Sequence, residues 1–162
     1  MTVIYKILSV IINLVGLLMG VSLIFILPLA LAAPPLWLPT FLLVAIVLYT
    51  VFSSRFRNRV LQRQEVVKYN LRDWIRVNGF VAIAFSILNI PTTISILANP
   101  MRFAGAMKEM LKQFGDKYEQ GFNANNLSTI AAIMLVYFIA LLIHVLWTFA
   151  LMKKYQEFFK KD

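Results

Sequence analysis

The chain has 162 residues, 60% of them hydrophobic and 14% charged, with a net charge of +9 and no cysteine. A soluble domain is about 45–50% apolar and about 25% charged, so the expected solvent is lipid. Without cysteine, disulfides, thiolate metal sites and Cys-X-X-Cys redox chemistry are excluded.

Four runs are almost free of charge: Ile7–Leu27, Leu36–Ser53, Val77–Ala98 and Leu127–Met152. Each meets the minimum of about 17 residues that a helix rising ~1.5 Å per residue needs to cross roughly 30 Å of hydrocarbon. The expected fold is all-α: a polytopic membrane protein with four transmembrane helices in a single bundle domain over residues 1–162. No length remains for a separate soluble domain, so any site must be built between helices or at the interfaces.

The first span carries "GLLMG", in which Gly16 and Gly20 form a GxxxG pair with Asn13 one turn earlier. Such a face lets another helix backbone approach closely, either within the chain or in a homodimer. An apolar run of this length exceeds the roughly 7–15 residues of a signal-peptide core, so the segment reads as a span. Pro28, Pro34, Pro35 and Pro39 follow in a short uncharged connection, which predicts a first helix ending near Leu27 and a second beginning at Leu36 to Pro39. So short a link makes the two spans antiparallel neighbours, with Trp37 placed for an aromatic belt.

The second connection holds Arg55, Arg57, Arg59, Arg63, Lys68, Arg72 and Arg76. Its apolar residues Phe52, Phe56, Val60, Val67, Leu71, Trp74 and Ile75 mostly recur three or four apart, so helices should extend beyond the membrane. Arg55, Arg57, Arg59 and Arg63 are candidate contacts for anionic lipid head groups, at ~1 kcal/mol each near the surface. Basic residues also concentrate at Lys6 and at Lys153, Lys154, Lys160 and Lys161, whereas the opposite side has Arg102, Lys108, Lys112 and Lys117 offset by Glu109, Asp116 and Glu119. By the positive-inside rule both termini and the second connection are cytoplasmic, and the expected location is a bacterial inner membrane. The excess charge is accounted for by topology, without nucleic acid as a partner.

In the third span Asn78, Ala82, Ser86, Asn89 and Thr93 share one helical face, as do Tyr137, His144 and Thr148 in the fourth. Polar side chains are expensive in lipid, so both faces should point inward. Asn13, Asn89, Thr93, Tyr137 and His144 form the candidate intramembrane polar cluster. His144 is the chain's single histidine, and its depth, ~7 Å from the span midpoint, matches that of Asn13. The expectation is a neutral His144 hydrogen-bonded to Asn13 or to a backbone carbonyl.

Between spans three and four lies "RFAGAMKEMLKQFGDKYEQGF". On a helical wheel Phe103, Met107, Met110, Leu111, Phe114 and Tyr118 fall within an arc of roughly 80–100°, opposite the charges. Asn99 as cap and Pro100 at the first position mark the start of an amphipathic helix over about residues 100–120, expected at the outer interface. "NLS" at Asn126–Ser128 reads as the cap of the fourth span, and Tyr155, Phe158 and Phe159 of the C-terminal tail are expected to dip towards lipid.

None of the runs carries Asp, Glu, Lys or Arg in its core, which disfavours proton- and cation-coupled transport and voltage sensing. Metal ligand sets and nucleophile–base pairs are not evident, so no catalytic residue, cofactor or metal is assigned. The leading expectation is a structural, accessory or oligomer-forming component whose partners are membrane lipids, a second copy or a larger complex. A homo-oligomeric channel or carrier for a neutral or lipid-like solute, and a lipid-modifying enzyme, are the alternatives.

Overall fold

A computed structural model describes residues 3–112 and 123–160. Among the described residues five α-helices follow in order: α1 (Val3–Ala32), α2 (Trp37–Phe56), α3 (Tyr69–Ala98), α4 (Pro100–Lys112) and α5 (Ala124–Lys154). A 3₁₀ turn over Pro34–Leu36 joins α1 to α2, and a π-helical segment, Arg57–Gln62, continues α2. The two-residue strands β1 (Val67–Lys68) and β2 (Phe159–Lys160) pair in parallel. All but α4 are long and apolar enough to cross a membrane, which is the character of a membrane protein.

Two helix ends differ from expectation. α1 runs through Pro28 to Ala32 rather than stopping near Leu27. A proline removes one backbone donor, but membrane helices tolerate this loss through local adjustment and neighbouring groups. α2 then starts at Trp37, with Pro39 in its first turn, where backbone N–H groups have no intrahelical partner to lose. The Trp37 indole Nε1–H donates to the Ala30 carbonyl at 2.8 Å and ties the two ends together. At the other end of the chain α5 is capped by Asn123 and not by Asn126, because the Asn123 Oδ1 accepts the Asn126 N–H at 2.7 Å. The sequence offers three asparagines within four residues, and the helix begins early enough to use the first.

The chain divides into two compact units, Met1–Phe85 with Ala140–Asp162, and Ser86–Ile139. In the first unit α1 and α2 pack antiparallel, as the register of Asn13 on Ser54, Gly16 on Thr50 and Gly20 on Val47 requires. Tyr5, Ile12, Ile46, Tyr49, Phe56, Val60, Ile75, Leu141 and Val145 are fully buried there. Gly79 of α3 lies against α5 so closely that a Cβ at this position would fall 2.7 Å from Phe149 Cζ.

Aromatic pairs close the end of this unit where α2 leaves and α3 begins. Phe52 stacks on Trp74 with centroids 5.5 Å apart. Phe56 stacks on Phe159 at 5.8 Å. The expectation that Phe159 dips towards lipid is therefore corrected: β2 pairs with β1, which turns Phe159 inward, where it is 7% exposed. Tyr155 and Phe158 are half-buried and pack on each other at 6.0 Å.

In the second unit the chain pauses at Asn99 between α3 and α4, and Phe103 N–H donates to the Asn99 carbonyl at 3.4 Å. Pro100 opens α4, a position at which its missing N–H costs nothing. Phe103 and Met107 are half-buried, while Met101, Arg102 and Glu109 are exposed.

Candidate functional site

Three helices of the first unit bring their polar side chains to one buried cluster. α1 contributes Tyr5 and Ser9, which lie one turn apart on a stripe continued by Ile12 and Gly16, all four buried. α2 contributes Tyr49 and α5 contributes His144 and Thr148. Each of the five polar residues is at most 3% exposed.

His144 is bonded through both ring nitrogens. Its Nε2 lies 2.8 Å from Ser9 Oγ, and its Nδ1 lies 2.8 Å from the Tyr49 hydroxyl. Thr148, one turn further along α5, donates to the His144 backbone carbonyl at 2.7 Å. Its Oγ1 in turn receives the Tyr49 hydroxyl at 3.2 Å and contacts the Tyr5 hydroxyl at 3.1 Å.

Matching donors to acceptors assigns a tautomer. Thr148 has one hydroxyl proton and spends it on the His144 carbonyl, so the Tyr5 and Tyr49 hydroxyls both donate to Thr148. With the Tyr49 proton spent, its contact with His144 needs Nδ1–H as donor, which leaves Nε2 to accept from Ser9. Under this assignment each of the five contacts named here has one hydrogen, and the imidazole is taken as the neutral Nδ1–H tautomer.

Rings close the cluster off. The Tyr5 ring stacks on the imidazole with centroids 5.2 Å apart and planes 8° from parallel. Tyr49 meets it edge-on at 5.8 Å, and Trp147 abuts Tyr5 at 5.7 Å. Aromatic contacts of this kind add ~0.5–1.5 kcal/mol beyond the area they bury. A Ser–His pair at 2.8 Å has the spacing of a nucleophile and its base. Here both residues are at most 3% exposed, the Tyr5 ring stacks on the imidazole, and the contact joins α1 to α5.

The residues of the candidate cluster are distributed differently from the expectation. His144 does meet α1, but through Ser9 and not through Asn13. At ~100° per residue Asn13 is rotated about 40° from Ser9, and that turns it to α2, where its Nδ2 donates to Ser54 Oγ at 3.1 Å. The Asn13 Oδ1 is buried without a hydrogen-bond partner. Asn89, Thr93 and Tyr137 belong to the second unit. There the Thr93 hydroxyl donates to the Asn89 carbonyl at 2.7 Å, and Tyr137 packs on Phe138 at 5.8 Å.

Of the two glycines in α1, Gly16 is pressed onto α2: a Cβ there would lie 2.5 Å from Thr50 Cγ2. Gly20 has room: a Cβ there would lie 3.7 Å from Val47 Cγ1. Among the arginines, Arg55 lies 5.7 Å from the centroid of the Phe52 ring and Arg57 Nε donates to Asn58 Oδ1 at 3.2 Å. The Arg59 carbonyl accepts Glu65 N–H at 2.9 Å, and Arg63 pairs with Glu65 at 3.5 Å. Of the outer-helix face, Phe103 and Met107 are described above; the side chains of Met110 and Leu111, and all of Phe114 and Tyr118, lie outside the described residues.

Tyr5, Ser9, Tyr49 and Gly79 are the residues that sequence reasoning missed. Tyr5 and Ser9 were legible in principle, because their spacing of four continues through Ile12 and Gly16 as one helical face. Tyr5 fell outside the run taken as the first span, and Tyr49, which recurs with Ser53 and Phe56 at spacings of four and three, lies on a helical face that was not read. No protein-family model, no curated protein and no solved structure matches this chain.

Proposed function

We propose that the chain is a non-enzymatic, multi-pass membrane component that serves as a structural or accessory subunit, in a homo-oligomer or a larger membrane complex. The observation that carries this reading is the closure of His144. A nucleophile and its base act on a substrate that reaches them, whereas Ser9 and His144 are at most 3% exposed and the Tyr5 ring stacks on the imidazole. An imidazole held in this way fixes helices and leaves the outer surface for contact with other molecules.

The orientation follows from the charges, with both termini and the arginine-rich segment after α2 on the cytoplasmic side of a bacterial inner membrane. α4 is read as an amphipathic helix at the outer interface. What supports this is the arc of Phe103, Met107, Met110 and Leu111 opposite the charges in the sequence; Phe103, Met107 and Lys108 are half-buried, and Met101, Arg102 and Glu109 exposed. Membrane lipids are partners, nucleic acid is not, and no cofactor is invoked.

Native mass spectrometry of protein released from nanodiscs, with co-purifying polypeptides retained, tests the reading. The expected result is a defined assembly of more than one polypeptide that weakens when His144 is replaced by alanine. A monomer that retains no other polypeptide contradicts it.

A further inference from the structure

Between α1 and α2 runs a groove of about 550 Å³, within the roughly 300–1,000 Å³ usual for ligand sites. Its walls include Leu17, Gly20, Val21 and Val51, and one end reaches Asn13, Arg55 and Asn58. We propose that this groove holds one acyl chain of an anionic glycerophospholipid, with the phosphate at Arg55 and Asn58. The inference rests on the reading that the arginine-rich end of α2 lies at the membrane–water interface.

Length is the first argument. Along α1 the lining runs from Asn13 to Ile24, a rise of ~16 Å at ~1.5 Å per residue. That is about half of the roughly 30 Å hydrocarbon core, enough for one acyl chain, and the α2 lining from Val47 to Asn58 carries the groove past the end of the apolar run at Ser53.

Chemistry along the groove changes in the same direction as it does along a lipid. The walls are apolar through Leu17, Val21, Val47 and Val51, and the polar groups gather at one end. Arg55 is exposed there, and Arg57 and Arg59 follow it within the next turn. A guanidinium presents a planar fork of donors that matches two phosphate oxygens at once.

Gly20 keeps the groove open. A Cβ built there meets nothing nearer than Val47 Cγ1 at 3.7 Å, so the missing side chain leaves space, whereas at Gly16 it permits close packing. A larger residue at position 20 therefore fills the groove without forcing the helices apart.

The test is native mass spectrometry of the full chain in detergent supplemented with equal amounts of phosphatidylglycerol and phosphatidylcholine. One phosphatidylglycerol per chain is expected to be retained in preference to phosphatidylcholine. Arg55→Gln is expected to weaken retention about fivefold, the effect of one basic residue at a lipid surface. Gly20→Leu is expected to abolish retention with thermal stability in lipid-free detergent unchanged, and Arg76→Gln, an exposed residue outside the groove lining, to leave it unaltered. Equal retention of the two lipids overturns the proposal, as does a loss on Arg76→Gln equal to that on Arg55→Gln. A dimer that Gly20→Leu dissolves overturns it as well, since the groove's occupant is then a second copy. A monomer that retains the lipid but no other polypeptide counts against the proposed function alone.

Discussion

Replacing His144 with alanine is expected to destabilise the protein by about 3 kcal/mol, read as a fall in thermal stability in detergent. Interhelical hydrogen bonds within membranes average ~0.6 kcal/mol and reach ~1.7, and His144 makes two, to Ser9 and Tyr49. The substitution also opens a cavity under the Tyr5 ring and strands the partners it leaves behind. Ser9→Ala and Tyr49→Phe are each expected to cost about 1 kcal/mol. A double-mutant cycle between Ser9→Ala and His144→Ala should show that most of the Ser9 effect disappears once the imidazole is gone. If the two effects simply add, the hydrogen bond between them contributes nothing, and the network does not tie α1 to α5.

Substitution at Gly16 is the second large effect. A Cβ there lies 2.5, 2.7 and 2.8 Å from the Cγ2, Oγ1 and Cβ of Thr50, so Gly16→Val must push α1 off α2. Overpacking of this kind costs about 1–3 kcal/mol, and the helix pair has no flexible side-chain tip to yield at that point. Gly20→Val, one turn along the same helix, is expected to be close to neutral because its nearest contact is at 3.7 Å. Thr50→Ala in a Gly16→Ala background removes the two closest atoms and should restore part of the loss. Equal sensitivity at the two glycines, measured by thermal denaturation in one detergent, would falsify the distinction between a packing glycine and an open one.

The contrast between those glycines shows where sequence reading stops. The four apolar runs were legible because length and charge alone decide whether a helix suits a bilayer. The inward face of α3 was legible too: Asn78, Ser86 and Thr93 recur at helical spacing, and all three are buried. GxxxG announces a close approach but does not say which glycine makes it or against what. The answer depends on the antiparallel register of α1 and α2, which puts Thr50 opposite Gly16 and Val47 opposite Gly20.

The polar cluster illustrates the same limit. Matching depth along two helices selected Asn13 as the partner of His144. Rotation about the helix axis decided otherwise: Ser9 faces α5, and Asn13 turns to α2. Tyr49 shares a helical face with Ser53 and Phe56 at spacings of four and three, which marks an inward face but does not say that it meets His144. β1 and β2 were also illegible, because a two-residue pairing between residues 67 and 159 depends on the ends of α2 and α5 arriving together. That pairing is what withdraws Phe159 from lipid.

Selective ¹⁵N labelling of histidine reports on the central claim directly, because the chain has one histidine and the spectrum one imidazole. The network assigns a proton to Nδ1, bonded to Tyr49, and a bare Nε2 that accepts from Ser9. The expected result is a neutral Nδ1–H tautomer whose protonated nitrogen shifts on Tyr49→Phe and whose bare nitrogen shifts on Ser9→Ala. An Nε2–H tautomer, or an imidazole indifferent to both substitutions, would contradict an internal tie centred on His144.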